Sequence, residues 1–153
     1  MKTYDVVLFS GVYREFSVKP LAIYRLASHL RKNGYTVKTV NHLHKFSERE
    51  FDNLIDKFVS DKTKLIGVSC TVLKSFNNDF FGVTDEVLKS RIERIKNKFD
   101  IKFVLGGGQV NNTSQRYLKN YNFFDYVSVG QGENVLLSIC NHVFYGTGII
   151  TTT

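Results

Sequence analysis

The sequence predicts a doubly wound α/β domain, in which a five-stranded parallel sheet carries helices on both faces. Short, continuously apolar runs are typical of strands covered on both sides, and segments with helical apolar spacing follow them. The two patterns alternate five times within 153 residues, which favours right-handed crossovers and a parallel sheet. A chain of this length suits one ordinary domain, so we predict a single domain over residues 1–153.

The first two strand and helix units occupy residues 6–59. Residues 6–9 (VVLF) form the first strand pattern, and Pro20 precedes a helix that Gly34 ends as a C′ glycine. Residues 36–40 predict the second strand, and Ser47 with Glu50 forms a capping box that opens the second helix. The apolar stripes of the two helices are Ile23, Leu26, Ala27 and Leu30, and then Phe51, Leu54, Ile55, Phe58 and Val59.

Three further strands are predicted at residues 65–69, 102–105 and 126–129. Thr84 stands where it caps the third helix, and a short helix is expected around residues 114–120. The last helix follows residue 133. The apolar stripes of the third and last helices are Leu88, Ile92, Ile95 and Phe99, and then Val135, Leu136, Ile139 and Val143.

The net charge of +7 raises the question of nucleic-acid binding, because lysine and arginine neutralise phosphates. The basic residues are spread along the chain, and in residues 89–98 they are interleaved with acidic and apolar ones. Basic surfaces that bind nucleic acid usually carry a recognisable motif, and the sequence contains none. We therefore expect solvated helix faces and no nucleic-acid partner.

No apolar run approaches eighteen residues, and Asp5 interrupts the region where a signal peptide is uniformly apolar. A cytoplasmic location without membrane association is the resulting expectation. Cys70 and Cys140 are the only cysteines, and their spacing suits neither a disulfide framework nor a metal site. Both are expected to be small buried side chains.

The loops after the strands are the predicted binding edge, because doubly wound domains bind ligands beyond the carboxyl ends of their strands. Gly106, Gly107 and Gly108 directly follow the fourth strand. Such a run is explained either by a tight turn or by the close approach of something bulky. The phosphate motifs GxGxxG and GxxxxGK[ST] are absent, so a flat, wide ligand fits the second explanation better.

Polar groups at this edge also have two explanations. Ser69 and Thr71 offer hydroxyls to a ligand, or they cap the next turn locally. Catalytic groups are scarce: no Ser-His-Asp or Cys-His arrangement can be assembled, and His42 with His44 lacks further metal ligands. Glu133 suits the start of a helix. We therefore predict no catalytic residues and no metal site.

Several segments together resemble the cobalamin-binding domain at the amino end of many radical S-adenosylmethionine enzymes. The resemblance covers nearly the whole chain and ends in a signature Asp-x-x-x-x-Gly-Glu-Gly-Glu, with Gln131 in place of its first Glu. The segments are DVVLF at 5–9, KPLAI at 19–23, GYTV at 34–37, LIGVS at 65–69, VLGGG at 104–108 and DYVSVGQGE at 125–133.

The resemblance implies a flavodoxin-like strand order, 2-1-3-4-5, with the corrin on the strand-end loops and the nucleotide tail between sheet and helices. A side chain at Gly106 or Gly107 would then project into the path of the tail. The candidate cofactor-binding residues are Ser10, Gly11, Val12, Tyr13, Ser69, Cys70, Thr71, Gly106, Gly107, Gly108, Gln109, Gly130, Gly132 and Glu133.

Two departures from the family limit this expectation. The DxHxxG motif, whose histidine ligates cobalt in related mutases and methyltransferases, is missing, because residues 10–17 contain no histidine. Two cysteines also cannot form the CxxxCxxC iron-sulfur motif, so we expect a binding module that is not catalytic alone and that belongs to, or derives from, a radical S-adenosylmethionine protein, whose barrel is a possible partner. The alternatives are an interaction or regulatory domain that has lost the cofactor, and a small-molecule enzyme or flavin binder.

Overall fold

Five parallel strands form one sheet, and their order across it is β2-β1-β3-β4-β5. The computed structural model describes residues 2–11, 21–41, 43, 46–72, 85–107, 119–129 and 132–147. The strands are β1 (Val6–Phe9), β2 (Val37–Val40), β3 (Leu65–Ser69), β4 (Lys102–Gly106) and β5 (Tyr126–Val127). The order reverses between β1 and β3, which makes that junction the switch point of the sheet.

Four helices of eleven to fourteen residues cover the sheet within the described part of the chain: α1 (Leu21–Lys32), α2 (Glu48–Phe58), α3 (Asp85–Lys98) and α4 (Gly132–Tyr145). The capping box at α2 is present, since Ser47 Oγ accepts a hydrogen bond from Glu50 N and Glu50 Oε1 accepts one from Ser47 N. A 3₁₀ turn (Cys70–Val72) follows β3 directly.

Two apolar cores lie on opposite faces of the sheet, because successive strand residues point to opposite sides. Val7 and Phe9 of β1 pack with the buried residues of α2 and α3. Val6 and Leu8 pack with those of α1 and α4. All four β1 residues are at most 4% exposed, so the strand is covered on both faces, as its continuous apolar run predicts.

The predicted fold class and the implied strand order 2-1-3-4-5 are confirmed. The fifth strand covers Tyr126–Val127 and is shorter than predicted: Ser128 N still donates to Leu105 O at 2.8 Å, and Val129 beyond it is 43% exposed. Cys70 and Cys140 are both buried, as expected, and neither forms a disulfide. Pro20, Thr84 and most of the helix expected at 114–120 lie outside the described residues.

No described helix has both the length and the apolar character needed to cross a membrane.

Candidate functional site

The candidate site is the carboxyl edge of the sheet, where four strand-end segments meet. Nine of the predicted site residues are described there: Ser10, Gly11, Ser69, Cys70, Thr71, Gly106, Gly107, Gly132 and Glu133. The other five predicted site residues, Val12, Tyr13, Gly108, Gln109 and Gly130, lie outside the described residues. His42 and His44 lie outside them as well.

A hydrogen-bonded chain crosses the switch point between β1 and β3. Gly11 N donates to Thr71 Oγ1 at 3.1 Å, and Thr71 Oγ1 donates to Ser69 Oγ at 2.9 Å. Ser69 Oγ also accepts from Thr71 N at 3.3 Å, which is the local capping considered as one of the two explanations for these hydroxyls. The two hydroxyls therefore join the β1 and β3 loops as well as fixing the 3₁₀ turn.

Gly11 has no room for a side chain on the β3 side. A Cβ at Gly11 would lie 2.6 Å from Thr71 O, closer than Cβ atoms come to other atoms in proteins. Because the obstacle is backbone, it cannot move aside as a flexible side chain does. The absence of a side chain at Gly11 is thus required by the protein's own β3 turn.

Gly107 meets the other side of the same turn. Its φ is +133°, a conformation that side-chain-bearing residues rarely adopt, and a Cβ there would collide with Cys70 Sγ. The space beside Gly107 is therefore filled by the protein's own thiol. Cys70 is 2% exposed and packs between the ends of β3 and β4.

Gly106 differs from these two glycines. Its φ is not positive, and the nearest atom to a Cβ at this position is Ser128 Cβ at 3.6 Å, which is an ordinary contact. Among the described residues, packing does not explain why residue 106 lacks a side chain. Among the described glycines of the triple run, Gly106 is the one at which the approach of a ligand is the better explanation.

Gly132 and Glu133 begin α4 and contact α1. A Cβ at Gly132 would lie 3.1 Å from Leu26 Cδ2, and Glu133 Oε1 forms an ion pair with Arg25 at 3.0 Å. The Arg25 side chain is 77% exposed, so the pair contributes little to stability. The first residues of α4 therefore lie directly against α1, with no room for a side chain at Gly132.

Asp125, the first residue of the glycine-rich signature, has a structural role at the opposite edge of the sheet. Its carboxylate accepts a hydrogen bond from Phe103 N at 2.8 Å and pairs with Lys96 Nζ at 2.6 Å. These contacts tie β5 to β4 and to α3. The signature therefore spans the sheet from an anchoring carboxylate to the candidate binding edge.

Sequence reasoning missed a polar cluster at the ends of β1 and β2. Ser10 Oγ donates to Asn41 Oδ1 at 3.4 Å, and Asn41 Nδ2 donates to Tyr24 Oη on α1. Asn41 follows β2 immediately, so the same rule that selected the other strand-end loops would have found it. Tyr24 carried no signal of its own, because its contact with Asn41 depends on the packing of α1.

Metal-ligating side chains and the buried Cys140 thiol bear on reactive chemistry in the described part of the chain. The described residues contain no group of three or more His, Cys, Asp or Glu that is able to hold a metal ion. Burial raises the pKa of the Cys140 thiol to about 12, so it stays protonated and unreactive at neutral pH. The described edge is thus rich in glycine and hydroxyl groups, which suits binding.

Doubly wound domains of this class bind their ligands beyond the carboxyl ends of the strands, at the switch point. The family profile of the B12 binding domain matches residues 4–139. The chain therefore belongs to the B12 binding domain family. No curated protein matches the chain significantly.

Solved structures with the same fold include two cobalamin-dependent radical enzymes. The radical S-adenosylmethionine methyltransferase TsrM from Kitasatospora setae, with cobalamin and a 4Fe-4S cluster bound, is 19% identical at a TM-score of 0.69 and covers 95% of this chain. The enzyme OxsB with aqua-cobalamin bound is 18% identical at a TM-score of 0.64 and covers 92%. This chain spans 25% of the TsrM chain and 19% of the OxsB chain.

Proposed function

We propose that this domain binds cobalamin at the carboxyl edge of its sheet, without a histidine ligand from residues 10–17, as the binding module of a radical S-adenosylmethionine protein. The family match over residues 4–139 is the observation that carries the proposal. Cobalamin supplies a corrin-bound cobalt. The module supplies the surface that holds and orients the cofactor, and it is not catalytic alone.

The described residues fit such a ligand in two respects. Gly106 leaves bare backbone at the end of β4 that the side chains of the described residues do not fill. Val129, which follows β5, is 43% exposed and offers apolar surface to a flat macrocycle. Between Gly106 and the end of β1, the hydroxyls of Ser69 and Thr71 are joined by a hydrogen bond, and Thr71 accepts a second one from Gly11 N.

The place of the domain in a longer protein is part of the proposal. TsrM and OxsB each contain a domain of this fold within a chain about four to five times as long, since the matches cover 25% and 19% of them. A radical S-adenosylmethionine barrel is the partner that these structures suggest. A natural reading frame that continues into CxxxCxxC would support this arrangement.

The second candidate is an interaction or regulatory domain of the same family that no longer binds the cofactor. One observation favours it: protein atoms already occupy the space beside three of the candidate glycines, namely Gly11, Gly107 and Gly132. In this case the strand edge is a closed surface, and a partner contacts it from outside.

Titration with hydroxocobalamin separates the two candidates. We expect a shift of the visible spectrum and a Kd of about 1 μM, measured by absorbance and by calorimetry. Flavin mononucleotide serves as the comparison ligand, because it is the other cofactor class that this fold commonly holds. A folded protein that gives neither heat nor a spectral change at about 100 μM cobalamin would favour the cofactor-free candidate.

A further inference from the structure

Ser10, Asn41 and Tyr24 form a polar cluster, here called the amide cluster, at the β2 end of the binding edge. Ser10 and Asn41 follow Phe9 and Val40, which are register partners in the β1 and β2 pair. Ser10 N donates to Val40 O at 2.9 Å and Leu43 N donates to Ser10 O at 3.0 Å. The backbone thus holds both residues at the strand ends, with Asn41 between Ser10 and the Tyr24 ring.

The amide cluster has hydrogen-bonding capacity that its internal contacts do not use. An Asn side chain offers two N–H donors and a carbonyl oxygen with two acceptor sites. The contacts described for Asn41 use one donor, toward Tyr24 Oη, and one acceptor site, toward Ser10 Oγ. Within the described part of the chain, one amide N–H and one carbonyl acceptor site of Asn41 and the O–H of Tyr24 therefore remain for a further group.

Exposure shows which members of the cluster reach a ligand. Ser10 is 3% exposed and anchors the cluster from within the protein. Tyr24 is 36% exposed and is one of three exposed large apolar side chains in the described part of the chain. Asn41 is half-buried, so Asn41 and Tyr24 are the members of the cluster that a ligand is able to reach.

We propose that Asn41 and Tyr24 form a subsite for a primary carboxamide on the periphery of the bound ligand, an inference that rests on the proposed function. A carboxamide carries both N–H donors and a carbonyl acceptor, so it pairs with the unused N–H and carbonyl of Asn41. The corrin ring of cobalamin bears acetamide and propionamide side chains at its rim. A carboxylate in the same place only accepts hydrogen bonds and repels the Asn41 carbonyl.

The position of the subsite requires a broad ligand. β2 and β4 are separated by β1 and β3, so three strand spacings of about 4.8 Å give about 14 Å between the amide cluster and Gly106. A ligand that touches both positions is a macrocycle with extended side chains. The subsite therefore binds a carboxamide on the side of the ligand that lies farthest from Gly106.

The test compares cobalamin with its monocarboxylate isomers, in each of which one rim amide has been hydrolysed to an acid. For the wild-type protein we expect one isomer to bind about tenfold more weakly than cobalamin, and the others to bind with nearly the same Kd. Tyr24→Phe should weaken cobalamin binding by about three- to tenfold at an unchanged melting temperature, and Asn41→Ala should weaken it by a similar factor with a lower melting temperature, because it also removes the partner of the buried Ser10 hydroxyl. Asn97→Ala, at an exposed position of α3, is the matched control and should bind as the wild type does.

Two results would overturn the subsite. If the wild-type protein binds cobalamin and all monocarboxylates with the same Kd, the protein does not hydrogen-bond specifically to any of the hydrolysed amide side chains. If Tyr24→Phe and Asn41→Ala both keep wild-type affinity, the amide cluster serves only the local structure. A wild-type protein that binds no cobalamin would instead overturn the proposed function, and the subsite with it.

Discussion

Cys70 Sγ occupies the place where a side chain at Gly107 would begin. A Cβ at Gly107 would lie less than 3.0 Å from this sulfur, while Cys70 Cβ is 3.5 Å away and in ordinary contact. The two residues come from the ends of neighbouring strands β3 and β4. Their contact closes the sheet edge at this point, so the backbone beside Gly107 is not available to a ligand in this conformation.

We predict that Gly107→Ala lowers the free energy of unfolding by about 1–3 kcal/mol, through both its positive φ and the collision with Cys70. Gly34→Ala is the matched control, because Gly34 has φ +95° with nothing within 4 Å of a Cβ and so measures the backbone cost alone. The free energies of unfolding of Gly107→Ala, Cys70→Ala and the double variant, measured by chemical denaturation, form a double-mutant cycle with the wild type. Strictly additive effects would contradict the collision, because removing the sulfur should relieve part of the cost.

The strands and the apolar residues of both cores were predictable, because they depend on patterns that are local in sequence, whereas the strand order 2-1-3-4-5 was implied by the family resemblance. VVLF and its counterparts mark strands buried on both faces, and Ser47 with Glu50 marks a helix start. The triple glycine indicated close approach, yet it did not indicate which atoms approach. Gly107 is met by Cys70 and Gly106 is not, and that difference depends on tertiary packing between the ends of two strands.

The hydroxyl of Thr71 provides a second prediction. Thr71→Val nearly preserves shape but removes the acceptor of Gly11 N, leaving a buried N–H without this partner. The free energy of unfolding should fall by about 1–3 kcal/mol, measured by urea denaturation. Thr71→Ser keeps the hydroxyl and should lose clearly less. Equal losses in the two variants would mean that the methyl group, and not the hydrogen bond, matters at this position.

Alkaline pH should destabilise the fold through Tyr35 and Cys140. Burial raises the pKa of Tyr35 from 10.0 to about 12 and that of Cys140 from 9.0 to about 12. Between these values the unfolded chain loses protons that the folded protein retains, so the free energy of unfolding falls as pH rises from about 9 to about 12. Below about pH 9 these two groups should add no pH dependence.

Thermal unfolding across this range checks the alkaline prediction, with Tyr35→Phe as the discriminating variant. The tyrosine hydroxyl donates to Asn141 Oδ1 at 2.6 Å, so the variant loses stability at neutral pH. Above pH 10 it should show a smaller further decline than the wild type. Parallel declines would show that the ionisation of Tyr35 does not contribute.

The basic residues of α3 should not create nucleic-acid affinity. Arg91 and Arg94 both pair with Asp52 Oδ1, at 2.6 and 3.1 Å, and Lys96 pairs with Asp125. Acidic side chains thus already neutralise part of the helix surface. We expect no gel shift of duplex DNA or RNA at about 0.15 M salt. A gel shift that persists at about 0.15 M salt would contradict the expectation, if the logarithm of the binding constant also falls linearly with the logarithm of the salt concentration.

At Gly106, a substitution is expected to change cobalamin affinity while it changes the stability of the fold little. Its nearest contact for a Cβ is Ser128 Cβ at 3.6 Å, so Gly106→Ala and Gly106→Val should leave the protein folded, with a change of about 1 kcal/mol or less for Ala. If the nucleotide tail passes this strand end, the branched side chain blocks it, and cobalamin affinity should fall about a hundredfold in Gly106→Val and less in Gly106→Ala. Gly146→Ala, which meets nothing within 4 Å, is the control for binding. Calorimetric titration of folded Gly106→Val with unchanged Kd would place the ligand elsewhere and leave Gly106 as a residue of the turn only.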